Sequence, residues 1–254
     1  MKLGFIFLLP FVALTIVLPL GSARANDVEV KHVALKGEVV DSHVMVEFDL
    51  RWENSWRNDL AGPGQMAPFN YDAAWLFVKF STDGGATWQH ATLSSKSSDH
   101  SVTNNNGVAA AIKAVSDRKG VFIFRAKNGA GSNNWDGVRL RWDYESDEVE
   151  SLTPATIVNV FAVEMVFVPK AGFQAGDHAT SIAAFQQESS DTDPWKIKSE
   201  SEISVTKTGS GDFFYVSAGN AGEDATGSKF TIPKSFPKGY NAFYMMKHEI
   251  TQGQ

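Results

Sequence analysis

Long stretches of the chain alternate apolar and polar residues, which is the pattern of a strand with one buried face. Residues 44–52 place Val, Val, Phe, Leu and Trp at every second position, with Met, Glu, Asp and Arg between them. Residues 138–144 alternate in the same way, with Arg139, Arg141 and Asp143 at the polar positions. A period of two predicts β-strands that cover one side of a core.

Other segments are apolar on both faces, as the central strands of a sheet are. Residues 75–80 and 121–124 contain almost no polar side chain. Clusters of turn-forming residues separate these segments: 62–64, 83–85, 104–107 and 128–131. We therefore predict about seven strands between residues 28 and 160, and one short helix over residues 108–115, whose alanines favour that state. The simplest fold that accommodates these strands is mainly β, with two antiparallel sheets packed face to face as a β-sandwich.

The amino terminus has the features of a secretory leader. Lys2 precedes an apolar run over residues 3–20, and Ala23-Arg24-Ala25 follows it, which predicts cleavage before Asn26. The chain contains no cysteine, so neither a lipid-modified cysteine nor a disulfide framework is available. Residues 1–25 are therefore predicted to be a signal peptide. The mature chain is predicted to be periplasmic, cell-surface or secreted from a bacterium, with no stable membrane anchor.

The charge balance narrows the range of partners. Loss of Lys2 and Arg24 with the leader changes the formal net charge from −6 to −8. No basic patch is present to release counterions, which argues against nucleic acid or an anionic membrane as the partner. Residues 143–150 are acidic and could offer carboxylates to calcium, but they lack the ligand spacing of a known calcium loop. A solvated loop is the favoured interpretation.

The segment from Ser81 to Trp88 matches the Asp-box pattern of sialidase-like propellers, Ser-x-Asp-x-Gly-x-Thr-Trp. Asp83 can accept hydrogen bonds from the backbone of the turn, Gly85 allows a positive φ, and Trp88 can cover the hairpin. A propeller needs one such box in each blade, and this chain has a single copy. The segment is therefore interpreted as a self-folding turn.

Tryptophan is concentrated in the first half of the chain, where six of the seven lie between residues 52 and 142. Three of them, Trp52, Trp75 and Trp142, are in register with aliphatic residues and are predicted to be core. Trp56 and Trp135 lie among Asn and Asp residues, so they are the candidate exposed contacts for a ligand such as a sugar ring. The six histidines show no metal-ligand spacing, and no catalytic, cofactor-binding or metal-binding residue is assigned.

Three later segments carry a resemblance to a known family. Residues 161–177 contain Met-Val-Phe-Val-Pro and a Gly-Phe turn, residues 230–240 contain Phe-Thr-Ile-Pro, and residues 243–254 contain Met-Lys-His-Glu-Ile-Thr. In this order they resemble the opening of the formylglycine-generating enzyme family, also called sulfatase-modifying factors. Bacterial exported members often carry a β-rich module before the enzyme-like domain. The recurring sequence segments of that module resemble residues 52–57, 71–80 and 119–125 of this chain.

The resemblance implies a division of the chain. Residues 26–160 would be the β-sandwich module, and residues 161–254 the incomplete opening of an α+β domain of C-type-lectin-like fold. Within it, Ile197, Ile203 and Val205 predict a packed strand, residues 213–216 a short strand, and Thr251 the N-cap of a following helix.

The resemblance also implies a function, which the absence of cysteine limits. Members that oxidise a sulfatase cysteine use a late cysteine pair that binds copper, with calcium nearby. No cysteine is present here, so no catalytic or metal residue is carried over, and copper and calcium would belong only to a missing part. The implied function is the amino-terminal fragment of an exported oxidoreductase-like protein acting on a protein or glycan substrate, not catalytically competent as given. The alternative is a non-catalytic cell-surface or carbohydrate-binding β-sandwich protein.

Overall fold

The computed structural model describes residues 28–40, 42–59, 70–175, 195–206, 213–214 and 230–249. Almost all regular structure in them is β, and all but one of the strand pairings are antiparallel, which confirms the mainly β prediction. The strands are β1 (Glu29–Val40), β2 (His43–Asn58), β3 (Asn70–Ser81), β4 (Gln89–His90), β5 (Ser101–Asn104), β6 (Ala110–Ala114), β7 (Val121–Arg125), β8 (Gly129–Trp142), β9 (Ile157–Val168), β10 (Phe173–Ala175), β11 (Trp195–Ile197), β12 (Ile203–Thr206), β13 (Phe213–Phe214), β14 (Phe230–Ile232) and β15 (Phe243–Met246). Two 3₁₀ turns cover Ser97–Asp99 and Tyr144–Asp147.

Ten strands form one connected sheet that is divided into two layers. Strand β2 lies between β1 and β8, and β5 follows β8; strand β3 pairs with β9 along its whole length, and β15 follows β9. Among the described strands, the two layers are joined where Arg57 and Asn58 of β2 pair with Tyr71 and Asn70 of β3. Both layers contribute to a single apolar cluster, an arrangement consistent with a β-sandwich. Its largest fully buried side chains are Trp52, Trp135, Trp142, Phe48, Phe80, Leu50, Leu76, Leu93, Ile123, Leu140 and Val44.

The alternating segments behave as the sequence predicts. Residues 44–52 lie in β2, with their apolar members buried and their polar members partly or fully exposed. Strand β7 is buried along its whole length, as a central strand should be. The predicted helix over residues 108–115 is wrong, because Ala110–Ala114 is β6 and pairs with β7. The ladder with β7 outweighs the modest helix propensity of alanine.

Strand β9 runs without interruption through the predicted domain boundary at residues 160 and 161. Its residues Ile157 to Phe167 pair with Ser81 to Tyr71 of β3. Strand β15 then pairs with the last part of β9, from Met165 to Val168. The division into residues 26–160 and 161–254 stays a prediction, and the first strand of the second part belongs to the sheet of the first.

The remaining strands form two small sheets. Strand β10 pairs with β11, and β12 lies between β13 and β14. The predicted packing of Ile197, Ile203 and Val205 is confirmed, although they lie on two short strands, and with Trp195 they form a separate buried cluster. The predicted leader, residues 1–25, and the helix expected after Thr251 lie outside the described residues. Among the residues described, no helix has the length and apolar character needed to cross a membrane.

The Asp-box segment forms the predicted turn. Asp83 Oδ1 accepts hydrogen bonds from Ser81 Oγ at 2.6 Å and from the Thr87 backbone N–H at 2.9 Å. Gly85 has a φ of +100°, and Trp88 Nε1 donates to its carbonyl oxygen at 3.1 Å. These bonds hold the pKa of the Asp83 carboxyl well below its ordinary value. The turn packs against the start of β9, since a Cβ on Gly85 would lie 3.3 Å from Ile157 Cδ1.

Candidate functional site

A buried ion cluster lies where β3, β9 and β15 run side by side. It consists of Asp72 on β3, Glu164 on β9 and Lys247 directly after β15, and we call it the Lys247 cluster. Glu164 is the register partner of Ala74, two residues along β3 from Asp72, and the backbone N–H of Lys247 donates to the Glu164 carbonyl oxygen at 2.9 Å. Residues two apart on a strand share a face. All three side chains therefore lie on the face that carries the apolar core.

The lysine ammonium lies between the two carboxylates. Lys247 Nζ is 3.0 Å from Asp72 Oδ2 and 3.1 Å from Glu164 Oε2, and it also donates to the Asn54 carbonyl oxygen at 3.3 Å. The exposed fractions of the side chains are 11% for Lys247, 4% for Glu164 and 0% for Asp72. The ring centroid of Trp56 is 4.9 Å from Nζ, which adds a cation–π contact. The cluster is therefore largely shielded from water, and the lysine is its most exposed member.

Asp72 is held by three further donors from β2. Its Oδ1 accepts from Ser55 Oγ at 2.6 Å and from the Trp56 backbone N–H at 3.0 Å, and its Oδ2 accepts from Trp52 Nε1 at 2.9 Å. Behind Ser55, its hydroxyl oxygen accepts from Arg125 Nε at 3.2 Å and from Asn133 Nδ2 at 2.8 Å. These contacts fix the carboxyl group in one orientation.

The Glu164 carboxyl group has far fewer polar contacts than that of Asp72. Among the described residues its Oε1 has no hydrogen-bond partner, and its Oε2 has only ionic contacts, with Lys247 and with His248 Nε2 at 3.8 Å. Burial raises the pKa of the Glu164 carboxyl, and the neighbouring Asp72 adds to the increase, while Lys247 and His248 oppose it. A site with two carboxylates and one lysine is closest to electrical balance when one carboxyl keeps its proton. The raised pKa means that the Glu164 carboxyl binds a proton more readily than it would in water.

The two candidate ligand contacts from the sequence have different outcomes. Trp56 is half-buried, donates from Nε1 to Asn70 Oδ1 at 2.8 Å, and forms one wall of the Lys247 cluster. The exposure predicted for Trp135 is wrong: it is fully buried, donates to the Val108 carbonyl oxygen and packs edge-on against Trp52. Its Asn-rich neighbourhood suggests a loop, but that segment is part of β8 and pairs with β2.

The Lys247 cluster was not identified from the sequence, although a signal for it is present. Asp72 lies near the start of the strongly apolar strand β3, and Glu164 interrupts another apolar stretch in β9. A charge inside a buried strand requires a partner, because transferring it from water is costly. The identity of that partner, Lys247, depends on strand register and is not contained in any local pattern.

A second feature is an aromatic surface on the opposite face of the β3–β9 layer. The Phe77 ring is stacked against His90 at 5.7 Å and against Phe161 at 5.1 Å. Phe161 remains 45% exposed, and Ile157 and Trp88 are each 39% exposed. We call Trp88, Ile157 and Phe161 the aromatic patch. Exposed ring faces of this kind can receive apolar groups or sugar rings.

Comparisons with family models, with curated proteins and with solved structures found no match to this chain. Among the residues that the structure describes, no group of three or more His, Asp or Glu side chains is arranged to hold a metal ion. The functional interpretation therefore rests on the geometry of the chain itself and on the sequence resemblance.

Proposed function

We propose that this chain supplies the β-rich module and the opening strands of an exported protein similar to the formylglycine-generating enzymes, without a catalytic centre of its own. The supporting observation is the pairing of β9 with β15. The two segments that carry the resemblance, residues 161–177 and 243–254, contribute these adjacent strands, although more than sixty residues separate them. The Glu164–Lys247 ion pair adds a side-chain contact between the same two segments.

The absence of cysteine from the 254 residues is the reason for assigning no catalytic centre to them. The family's oxidation chemistry needs soft thiolate ligands for copper, and no residue of this chain can provide one. In the proposal, the chain forms a folded base on which an enzyme-like domain begins. The substrate would be a protein or a glycan, and localisation would be periplasmic, cell-surface or secreted.

An engineered disulfide tests the strand pairing that supports the proposal. Met165 and Met246 are register partners. They form a pair without backbone hydrogen bonds, because the adjacent pair Lys247–Glu164 is hydrogen-bonded, so their Cα atoms should be about 4.5 Å apart. That separation suits a disulfide. Because the natural chain has no cysteine, the M165C/M246C double variant contains the only two thiols.

The expected result is loss of both free thiols on mild oxidation of the folded variant, detected by thiol titration. The control is V163C/M246C, which displaces one partner by two positions along β9 and should keep free thiols under the same conditions. Equal oxidation of both variants, or none in M165C/M246C, contradicts the pairing and with it the structural support for the family assignment.

The functional test compares the complete product of the source gene with the 254-residue chain. Each is incubated with copper, oxygen, a reductant and a cysteine-containing sulfatase peptide, and the peptide mass is followed. The proposal expects conversion by the complete product and none by the 254-residue chain. Conversion by the 254-residue chain contradicts the proposed lack of a catalytic centre in it, and failure of the complete product contradicts the enzyme-like assignment.

The aromatic patch favours a second candidate function, carbohydrate binding by a non-catalytic surface protein. The exposed faces of Trp88 and Phe161 are the structural reason for considering it. Titration with a panel of soluble polysaccharides, followed by tryptophan fluorescence, is the test. Binding that is lost in Phe161→Ala and kept in Phe236→Ala, a change at another exposed phenylalanine, supports this candidate. Binding unaffected by Phe161→Ala, or no binding at all, contradicts it.

A further inference from the structure

We propose that Lys247 and Asp72 react with each other to form an intramolecular isopeptide bond, with Glu164 transferring the proton. The bond would join β3 covalently to the residue that follows β15, across the intervening strand β9. This inference rests on the Lys247 cluster alone and holds whether or not the proposed function is correct.

The reacting side chains are already in contact. Lys247 Nζ lies 3.0 Å from Asp72 Oδ2, and Glu164 Oε2 lies 3.1 Å from the same nitrogen. The electrophile and the general acid–base lie on the paired strands β3 and β9, and the nucleophile follows β15 directly, with its backbone N–H bonded to β9. Groups fixed at contact distance in a rigid site gain a large effective concentration, which favours an otherwise slow condensation.

Burial favours the neutral forms that the reaction needs. Asp72 is fully buried, and the side chain of Lys247 is nine-tenths buried, so keeping both groups charged costs solvation free energy. Transfer of a proton from the ammonium to the Asp72 carboxylate produces a neutral amine beside a neutral acid. Burial raises the pKa of Glu164, which favours the protonated carboxyl that can act first as an acid and then as a base.

The donors around Asp72 match the charge that develops in the step. Ser55 Oγ and the Trp56 backbone N–H both donate to Oδ1, where negative charge accumulates when the amine adds to the carboxyl carbon. Trp52 Nε1 donates to Oδ2, the oxygen that leaves. The two carboxyl oxygens are therefore distinguished before the reaction begins, with one stabilised as an oxyanion and the other contacted by the lysine.

The step balances without any other reactant. The Lys247 amine forms a C–N bond to Asp72 Cγ and loses a proton to Glu164, while Glu164 delivers a proton to the departing Oδ2. The C–Oδ2 bond breaks and one water molecule leaves. No electron is transferred, and no metal or cofactor is required. The lysine is the least buried member of the cluster, so water can leave on that side.

The consequence would be a covalent cross-link in a chain that has no cysteine. The linked residues are 175 positions apart in the sequence. A cross-link that closes so long a loop restricts the unfolded chain strongly, as a disulfide of the same span would. It would fix the strand that carries Lys247 in the sheet even when the noncovalent contacts around it are weakened.

Mass spectrometry of the denatured full chain tests the proposal directly. With the amino terminus determined on the same sample, the bonded chain is lighter than its sequence mass by one water molecule. Trypsin should release a branched product that joins residues 58–79 to residues 239–254, because cleavage after Arg57, Lys79 and Lys238 frees these peptides and the bonded Lys247 resists cleavage. Fragmentation should locate the link at Asp72 and Lys247.

Two variants test the roles of the residues. Lys247→Arg keeps the positive charge but cannot form the amide, and Glu164→Gln keeps the size of the side chain but cannot take up a proton; neither should give the branched product. Circular dichroism verifies that each variant keeps its β-structure, and the wild-type mass decides the proposal even if a variant fails to fold. A wild-type chain of full sequence mass with separate peptides overturns the proposal. A folded Glu164→Gln variant that cross-links as completely as the wild type overturns the role of Glu164.

Discussion

The two layers formed by residues 28–168 and the small sheets that follow them are held by different contacts. In the layers, β2 has 16 residues and β3 has 12, and their inward side chains are almost completely buried in one apolar cluster. The later strands have two to four residues, and their buried cluster has four members among the described residues. Polar contacts also hold this later part of the chain: Glu200 binds the turn before β15, and Lys247, directly after β15, binds Asp72 and Glu164 of the layers.

Glu200 shows how the second region is organised. Its Oε1 accepts from the backbone N–H groups of Tyr240 and Asn241 at 2.8 and 3.0 Å, and its Oε2 accepts from that of Lys238 at 2.7 Å. One carboxylate therefore orders the turn that leads into β15. Apolar burial is non-directional and insensitive to pH, whereas such contacts depend on geometry and charge. We expect the first region to set global stability and the second to open locally.

The largest effect is expected from a cavity in the shared core. Leu76 is fully buried in β3, so Leu76→Ala should lower the free energy of unfolding by about 2–5 kcal/mol, through lost burial and a residual cavity. Denaturant unfolding followed by tryptophan fluorescence measures the change. The matched control, Phe236→Ala, removes a side chain that is 59% exposed and should change stability by no more than about 0.5 kcal/mol. Equal effects of the two variants would remove the distinction between the regions.

A smaller effect is expected from pH at the Lys247 cluster. The pKa of Glu164 is raised above its ordinary value near 4.5, so its contribution to folding is complete below that pH and is lost as pH rises through the raised pKa. The groups that face it are Asp72, Lys247 and His248, and Arg125 approaches through Ser55. Burial is the largest cause of the shift, so the direction is the same with or without a Lys247–Asp72 bond.

Glu164→Gln removes this titration. The free energy of unfolding should fall less steeply with pH above pH 4.5 in the variant than in the wild type. Because one proton is involved, the two slopes should differ by no more than about 1.4 kcal/mol per pH unit. Parallel curves for the two proteins would show that Glu164 is already ionised near its ordinary pKa. A steeper fall in the variant would contradict the assigned direction of the shift.

The core and the site differ in how far the sequence predicts them. The alternation at residues 44–52 predicts which side of β2 is buried, because a strand's two faces follow directly from its period. Reasoning from local composition fails at residues 108–115, where alanines predict a helix, and at Trp135, where polar neighbours predict a loop, because both segments pair with a neighbouring strand. The Lys247 cluster joins positions 72, 164 and 247, and their proximity depends on the register of three strands.

The smallest effect is expected at Glu200. Glu200→Gln keeps one acceptor oxygen but removes the charge and one of the acceptors for the turn at Lys238, Tyr240 and Asn241. The amides of these three residues should exchange faster with solvent, while global stability stays unchanged. Glu202→Gln, a change at a neighbouring exposed glutamate, is the control and should leave the exchange unaffected. Unchanged exchange in Glu200→Gln would contradict the organising role of this carboxylate.

Hydrogen–deuterium exchange of the wild type and of Lys247→Met tests the central claim most directly, that a buried lysine anchors β15 to the sheet of the first region. The account predicts the slowest exchange in β2, and clear protection of residues 243–247 in the wild type. In Lys247→Met that protection should be lost, with β2 unchanged, because Asp72 and Glu164 then lack their cation. Rapid exchange of residues 243–247 in the wild type, or unchanged protection in Lys247→Met, would contradict the account.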